Sequence, residues 1–124
     1  MIVAGVGFSA NCGPDELVDL VLKALAAAGQ IATGLAAPAW KAEAACLQNA
    51  AARLDLPILA VGRDKLARTA DRIVTHSSVS RAVAGVGSVA EAVALAAVGP
   101  GSRLALARIS SAHATCAIAE GDPS

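Results

Sequence analysis

Hydrophobic residues in the first part of the chain alternate between short strand-like runs and runs at helical spacing. Residues 2–8 form a short apolar run that ends in a glycine-rich turn. After Pro14, apolar residues recur at the three- and four-residue intervals of a helix as far as Gly29. The pattern therefore predicts a strand, a glycine loop and a helix, in that order.

The same alternation continues beyond the first helix. Residues 31–37 favour a second strand, which Pro38 is expected to break. A second helix is predicted over residues 40–54, and a third strand over residues 58–61. Because strands that alternate with helices pair in parallel, this part of the chain indicates a parallel sheet with helices on both faces.

The second half of the chain predicts two more helices and a hairpin. A short helix over residues 62–70 leads into a polar surface loop at 71–80. Residues 88–91 have the S-x-x-E form of a capping box, directly before an apolar helical run. Residues 103–109 and 112–119 each alternate in the manner of a strand, which predicts a terminal antiparallel hairpin.

Together these elements predict an α/β protein. We expect one three-layer α/β/α domain with a mixed, mainly parallel sheet of about five strands, closed by the C-terminal antiparallel hairpin. The domain is expected to span residues 1–120, and residues 121–124 to form a flexible tail.

Composition limits the classes of function. The chain has 124 residues, of which 56% are hydrophobic and only 2% aromatic. Its apolar stretches are interrupted before they reach the length of a membrane span, and its start lacks the charged region of a secretory signal. We therefore expect a cytoplasmic protein without a membrane segment. The scarcity of aromatic rings argues against nucleic-acid binding by base stacking.

Charge is balanced over the chain but unevenly distributed. Ten basic and ten acidic residues give a formal net charge of zero. The segment 53–81, however, contains more basic than acidic residues. It is either a solvated helical surface or a basic rim that attracts a ligand with several carboxylates.

The cysteines and histidines match no known metal or redox motif. Cys12, Cys46 and Cys116 lie far apart and have neither a CxxC pair nor zinc-type spacing with His76 or His113. We expect buried thiols, a solvated His113 beside the hairpin turn, no metal site and no cofactor.

The glycine loop after the first strand is a candidate binding element. Gly5 and Gly7 would let a ligand approach the backbone, and Asn11 lies in the turn before the helix. Because no acidic residue ends a second strand and no GK[ST] phosphate loop is present, a nucleotide is disfavoured. The N–H groups of a helix N-terminus could bind a carboxylate instead.

Charged and capping residues at two helix starts are further candidates. Lys41 and Glu43 are either an ordinary charged first turn or an ammonium and a carboxylate at the mouth of a site. Ser88 and Glu91 are explained by helix capping. The same cap exposes a helix N-terminus, and Gly87 would allow a ligand to come near it.

These segments resemble the CobE and CbiG C-terminal domain family of cobalamin (vitamin B12) biosynthesis. The resemblance covers nearly the whole chain in order, and the matching segments are residues 3–8 with 15–17, Lys41-Ala42-Glu43 with Leu47, residues 83–95, and residues 115–119. Arg108 stands where the family has a lysine, and an arginine also binds carboxylates.

The resemblance implies a role in building the corrin ring. The leading hypothesis is an accessory or carrier protein of the aerobic pathway that binds a precorrin or corrin intermediate. Helix N-termini, basic side chains and the segment 53–81 would hold the acetate and propionate groups of such a ligand. The ligand-binding candidates are Gly5, Gly7, Asn11, Lys41, Glu43, Gly87, Ser88 and Arg108.

Two alternatives remain open. CbiG-like proteins open the lactone of cobalt-precorrin-5A and release acetaldehyde, so the chain could be a hydrolase of this type. Glu43 or Glu91 would then be the base, and backbone N–H groups of a glycine turn would stabilise the oxyanion. Alternatively, the chain could be a scaffold that contacts other enzymes of the pathway. The residues do not decide whether it is an enzyme.

Overall fold

The protein, analysed as a computed structural model, is described over residues 1–68, 89–99 and 101–121. Several predicted features lie outside the described residues: the loop at 71–80, Gly87, Ser88 with its capping box, and the tail beyond residue 121.

Helices and strands alternate largely as predicted. In chain order the elements are β1 (Ile2–Phe8), α1 (Pro14–Ala28), β2 (Gly34–Pro38), a 3₁₀ helix (Ala39–Lys41), α2 (Ala45–Leu54), β3 (Ile58–Val61), α3 (Arg63–Arg68), α4 (Val89–Val98), β4 (Arg103–Ser110) and β5 (Ala114–Glu120). Among the helices described, none has both the length and the apolarity that a membrane crossing requires.

Two boundaries around Pro38 differ from the prediction. β2 ends with Pro38 instead of being broken by it, and Pro38 lies opposite Val61 of β3. The predicted helix over residues 40–54 is a short 3₁₀ helix followed by a separate helix that begins at Ala45. The interruption arises because Ala44 is extended, with φ −60° and ψ 136°, which ends the first helical turn before the second starts.

The described strands form one mixed sheet in the order β3-β2-β1-β5-β4. β1, β2 and β3 are parallel neighbours, whereas β5 runs antiparallel to β1 and β4 runs antiparallel to β5. Phe8, the last residue of β1, lies opposite Ala114, the first residue of β5. The hairpin turn, at residues 111–113, therefore lies at the same end of the sheet as the carboxyl ends of β1 and β2.

Successive residues of β1 contact helices on opposite faces of the sheet. Ala4, Val6 and Phe8 belong to the apolar cluster formed with α1 and α2, whereas Val3 packs with Val93 of α4. Right-handed crossovers that step in one direction along a sheet place their helices on one face, which accounts for α1 and α2 lying together. Because α4 covers the other face, the predicted α/β class and layers are confirmed.

α4 lies directly on β1 because both elements contribute small residues. A Cβ added to Gly5 would lie 2.2 Å from the carbonyl oxygen of Ala90 and 2.7 Å from the Cβ of Ala94. Both alanines are fully buried. Because Gly5 has no side chain, the backbone of α4 can lie directly against β1 at this position.

Candidate functional site

An open cleft of about 400 Å³ lies at the carboxyl ends of β1 and β2. Its lining comes from the end of β1 (Gly7, Phe8, Ser9), the segment that follows β2 (Pro38, Trp40, Lys41), the first residue of α4 (Val89) and the hairpin turn with its flanks (residues 110–115). Ligand sites of open α/β sheets usually occupy this position, because the loops that follow parallel strands can diverge there.

Lys41 brings a positive charge to the cleft. Its ammonium donates a hydrogen bond to the carbonyl oxygen of Phe8, and Nζ lies 4.9 Å from the centre of the Phe8 ring. The 3₁₀ helix that follows Pro38 turns the chain so that the lysine reaches the end of β1. An ammonium has further N–H donors, which a ligand carboxylate can accept.

A second cation lies beside the tryptophan of the cleft. The guanidinium carbon of Arg63 is 4.3 Å from the centre of the Trp40 ring, and Trp40 is 37% exposed. This is the geometry of a cation–π contact. Arg63 belongs to the segment 53–81 and is exposed, which is compatible with both a solvated helical surface and a basic rim.

A carboxylate–imidazole pair joins the start of α1 to the hairpin turn. Nδ1 of His113 lies 3.0 Å from Oε1 of Glu16, and the backbone N–H of His113 donates to Oε2 of Glu16 at 2.7 Å. The hydroxyl of Ser111 donates to the same carboxylate. Hydrogen bonds from Ser111 and His113 lower the pKa of Glu16 to about 2. Glu16 is therefore ionised at neutral pH and holds the imidazole in place.

Sequence reasoning missed this pair. His113 was expected to be solvated, and Glu16 was not among the candidate site residues. The two residues are 97 positions apart, and they meet because β5 pairs with β1 and brings the turn over the start of α1. The available signal in the sequence was a histidine in the polar turn of the hairpin, which lies at the same end of the sheet as the acidic first turn of α1.

The structure brings some of the predicted site residues together and separates others. Gly7 and Lys41 line the cleft. Gly5 faces α4 instead, and Asn11 is exposed in the loop before α1. Glu43 is exposed in the turn between the 3₁₀ helix and α2.

Glu91 and Arg108 contact each other. Glu91 is fully buried in α4, and its carboxylate accepts the backbone N–H of Arg108 at 2.9 Å. β4 is irregular here, because its register against β5 shifts between Leu106 and Ile109. The Glu91 carboxylate therefore provides an acceptor for an N–H group in an irregular stretch of strand.

The polar side chains that line the cleft are mainly hydrogen-bond donors. Its polar side chains include the ammonium of Lys41, the imidazole of His113 and the hydroxyls of Ser111 and Thr115. Within the described residues, the lining contains no carboxylate, and no group of three or more potential metal ligands comes together. Cationic and hydroxyl donors in this arrangement suit a ligand that carries carboxylates.

The fold and the cleft define a class of protein, namely a small α/β domain with a mixed sheet and a cationic cleft at the ends of its parallel strands. Residues 2–119 match the model of the family described as cobalamin synthesis G C-terminus, and the chain belongs to that family. By family and fold, this is a protein of the cobalamin biosynthesis pathway.

Two solved structures share the fold over nearly the whole chain. CobE, a protein from the cobalamin (vitamin B12) biosynthetic pathway, is 28% identical with a TM-score of 0.88, covering 96% of this chain and 89% of CobE. The cobalamin biosynthesis protein chiG from Agrobacterium tumefaciens str. C58 is 32% identical with a TM-score of 0.81, covering 98% of this chain and 99% of chiG. Among curated proteins, no sequence matches this chain.

Proposed function

We propose that the cleft binds a precorrin or corrin intermediate of cobalamin biosynthesis through its peripheral carboxylates. The observation that carries this proposal is the Lys41 ammonium, which the Phe8 carbonyl holds at the cleft. A carbonyl partner does not neutralise the lysine, so its charge is available to a ligand carboxylate. The family match supports the choice of pathway, and Lys41 is the residue proposed to bind a carboxylate of the ligand.

The size of the cleft sets how such a ligand would bind. At about 400 Å³ the cleft is smaller than a tetrapyrrole with its acetate and propionate groups. One edge of the macrocycle would enter, and the rest would lie across the open mouth. There Trp40 offers a partly exposed ring, and the nearby Arg63 offers a second cation to a neighbouring carboxylate. An accessory or carrier role is the function that this geometry supports best.

A second function is favoured by the Glu16–His113 pair. In the tautomer that carries its proton on Nδ1, His113 donates to Glu16 and leaves Nε2 able to accept a proton. Because His113 lines the cleft, it could activate water against the lactone of a bound intermediate, with release of acetaldehyde. His113 is better placed for this step than Glu43, which is exposed, or Glu91, which is buried against Arg108.

A titration of the purified chain with metal-free and cobalt-containing precorrins and corrins tests the proposal. Trp40 is the only tryptophan in the chain, so it reports binding at the cleft. Its fluorescence should fall as a tetrapyrrole approaches, because tetrapyrroles absorb the light that tryptophan emits. Saturable quenching and absorbance changes without any product support a carrier.

The same titration separates the alternatives. Release of acetaldehyde from a lactone-bearing intermediate, abolished by His113→Asn with binding retained, supports the hydrolase. If no member of the panel binds saturably, both ligand-based functions are wrong, and a scaffold that contacts pathway enzymes remains as the hypothesis to examine.

A further inference from the structure

A second cleft, of about 410 Å³, lies between the loop that follows β1 and the start of α2. Cys12 and Cys46 both line it, and it shares Phe8 and Ser9 with the first cleft. Both cysteines also contact one apolar cluster beneath α1 and α2. Two residues separated in the chain by all of α1 and all of β2 thus lie beside the same cleft.

The two thiols lie near enough to influence each other's ionisation, and the Cys12 thiol donates a hydrogen bond to the carbonyl oxygen of Gly13 at 3.5 Å. Burial raises the pKa of Cys12 to about 11. Burial also raises the pKa of Cys46, while the neighbouring Cys12 thiol and the charge of Lys41 act in the opposite direction. Cys46 is also the more exposed of the two thiols. It is therefore the thiol that ionises more readily and meets a reagent first.

We infer that Cys12 and Cys46 form a thiol–disulfide exchange site whose substrate is a low-molecular-weight disulfide. The Cys46 thiolate attacks one sulfur of that disulfide, forms a mixed disulfide and releases one small thiolate. Cys12 then loses its proton and attacks the Cys46 sulfur, which forms the Cys12–Cys46 bond and releases the second small thiolate. Two protein thiols are oxidised, one small disulfide is reduced to two thiols, and the two protons pass to the released thiolates.

The cross-link would act on the wall that the two clefts share. It would tie the loop after β1 to the first turn of α2, and these two segments follow Phe8 and Lys41, which contact each other. Cys116 provides an internal comparison. It is fully buried in β5, and burial raises its pKa to about 12, so it should not react in the folded chain.

The test uses the full chain with oxidised glutathione at mildly alkaline pH, followed by denaturation, alkylation, intact mass and peptide mapping. One thiol instead of three should be alkylated, the mass before alkylation should be lower by that of two hydrogen atoms, and one peptide pair should contain the Cys12–Cys46 link. Cys12→Ser should retain glutathione on Cys46, because the second thiol is missing. The matched control, Cys116→Ser, should form the link as the unaltered chain does.

Several results would overturn the site. These are a stable glutathione adduct on Cys46 of the unaltered chain, a link that includes Cys116, a link between two chains, or thiols that remain unmodified. Phenylarsine oxide, which bridges neighbouring thiols without oxidising them, gives a second measurement on the unaltered chain that needs no folded variant. One bridged arsenic per chain at Cys12 and Cys46 is expected, and its absence would also overturn the site.

Discussion

Lys41 and Phe8 stand 33 positions apart in the chain, and the ammonium of the lysine donates to the backbone carbonyl of the phenylalanine. The contact joins the segment after β2 to the end of β1, where the cleft opens. A partner without formal charge holds the lysine in position and does not neutralise its charge.

Lys41→Met should weaken tetrapyrrole binding by roughly 10- to 100-fold, since a hydrogen bond between charged groups contributes about 1.5–3 kcal/mol. Lys41→Arg should lose less affinity for the tetrapyrrole than Lys41→Met, because arginine keeps a positive charge at this position. Quenching of Trp40 fluorescence measures the affinity. Lys23→Met, which removes an exposed lysine of α1, is the control and should bind as the unaltered chain does. Equal affinities for Lys41→Met and the unaltered chain would show that Lys41 is not the anchor.

Glu16 should make stability fall in acid. Its pKa is lowered from 4.5 to about 2 in the folded chain by hydrogen bonds from Ser111 and His113. A carboxyl whose pKa is lower when folded stabilises the fold fully above its unfolded pKa. That stabilisation is lost as the pH falls from about 4.5 towards 2. Urea unfolding across this range should show the decrease.

Glu16→Gln isolates this contribution. The variant should lose less stability than the unaltered chain between about pH 6 and about pH 3, because it has no carboxyl to protonate at this position. Asp19→Asn alters an exposed carboxylate of the same helix and serves as the control. The assignment fails if the acid dependence of Glu16→Gln equals that of the unaltered chain.

Gly5→Ala should destabilise the domain by about 1–3 kcal/mol, because overpacking forces the backbone to shift. The added Cβ would lie 2.2 Å from the Ala90 carbonyl oxygen of α4. Gly13→Ala is the matched control, since a Cβ there has no neighbour within 4 Å and φ is −88°. Thermal or urea unfolding measures the stability of both variants. Similar losses of stability in Gly5→Ala and Gly13→Ala would contradict the close packing of α4 on β1.

Glu91→Leu should lower the free energy of unfolding by about 1–3 kcal/mol, since the N–H of Arg108 loses its acceptor in a part-buried site. Glu91→Gln should cost less, because an amide oxygen can still accept that N–H. Unfolding measurements compare the two variants. If Glu91→Gln is instead fully stable but abolishes a measured turnover, Glu91 is a catalytic base and its role is not only structural.

Local patterns in the chain were sufficient for most of the fold. The apolar run of β1, the helical spacing of α1 that ends at Gly29, and the paired alternation of β4 and β5 each depend on neighbours a few positions away. The break between the 3₁₀ helix and α2 was not predicted. It depends on the backbone of Ala44, a residue whose type is compatible with a continuous helix.

The candidate site was predicted in part for the same reason. Gly7 was chosen from the glycine turn after the first strand and Lys41 from the charged start of the second helix, and both line the cleft because the ends of parallel strands meet at one end of a sheet. Gly5, two positions earlier on the same strand, has the same residue type but faces a helix. Residue type alone does not distinguish a glycine that admits a ligand from one that admits a helix.

By itself, the sequence determined the α/β class, the order of most elements and the family resemblance, because hydrophobic period and turn residues act over short distances. Only the tertiary structure decided which distant residues meet, as in the pairs Glu16–His113, Cys12–Cys46 and Glu91–Arg108. The physical reason is that strand order and register bring these residues together. Both result from packing of the whole domain, which no local pattern contains.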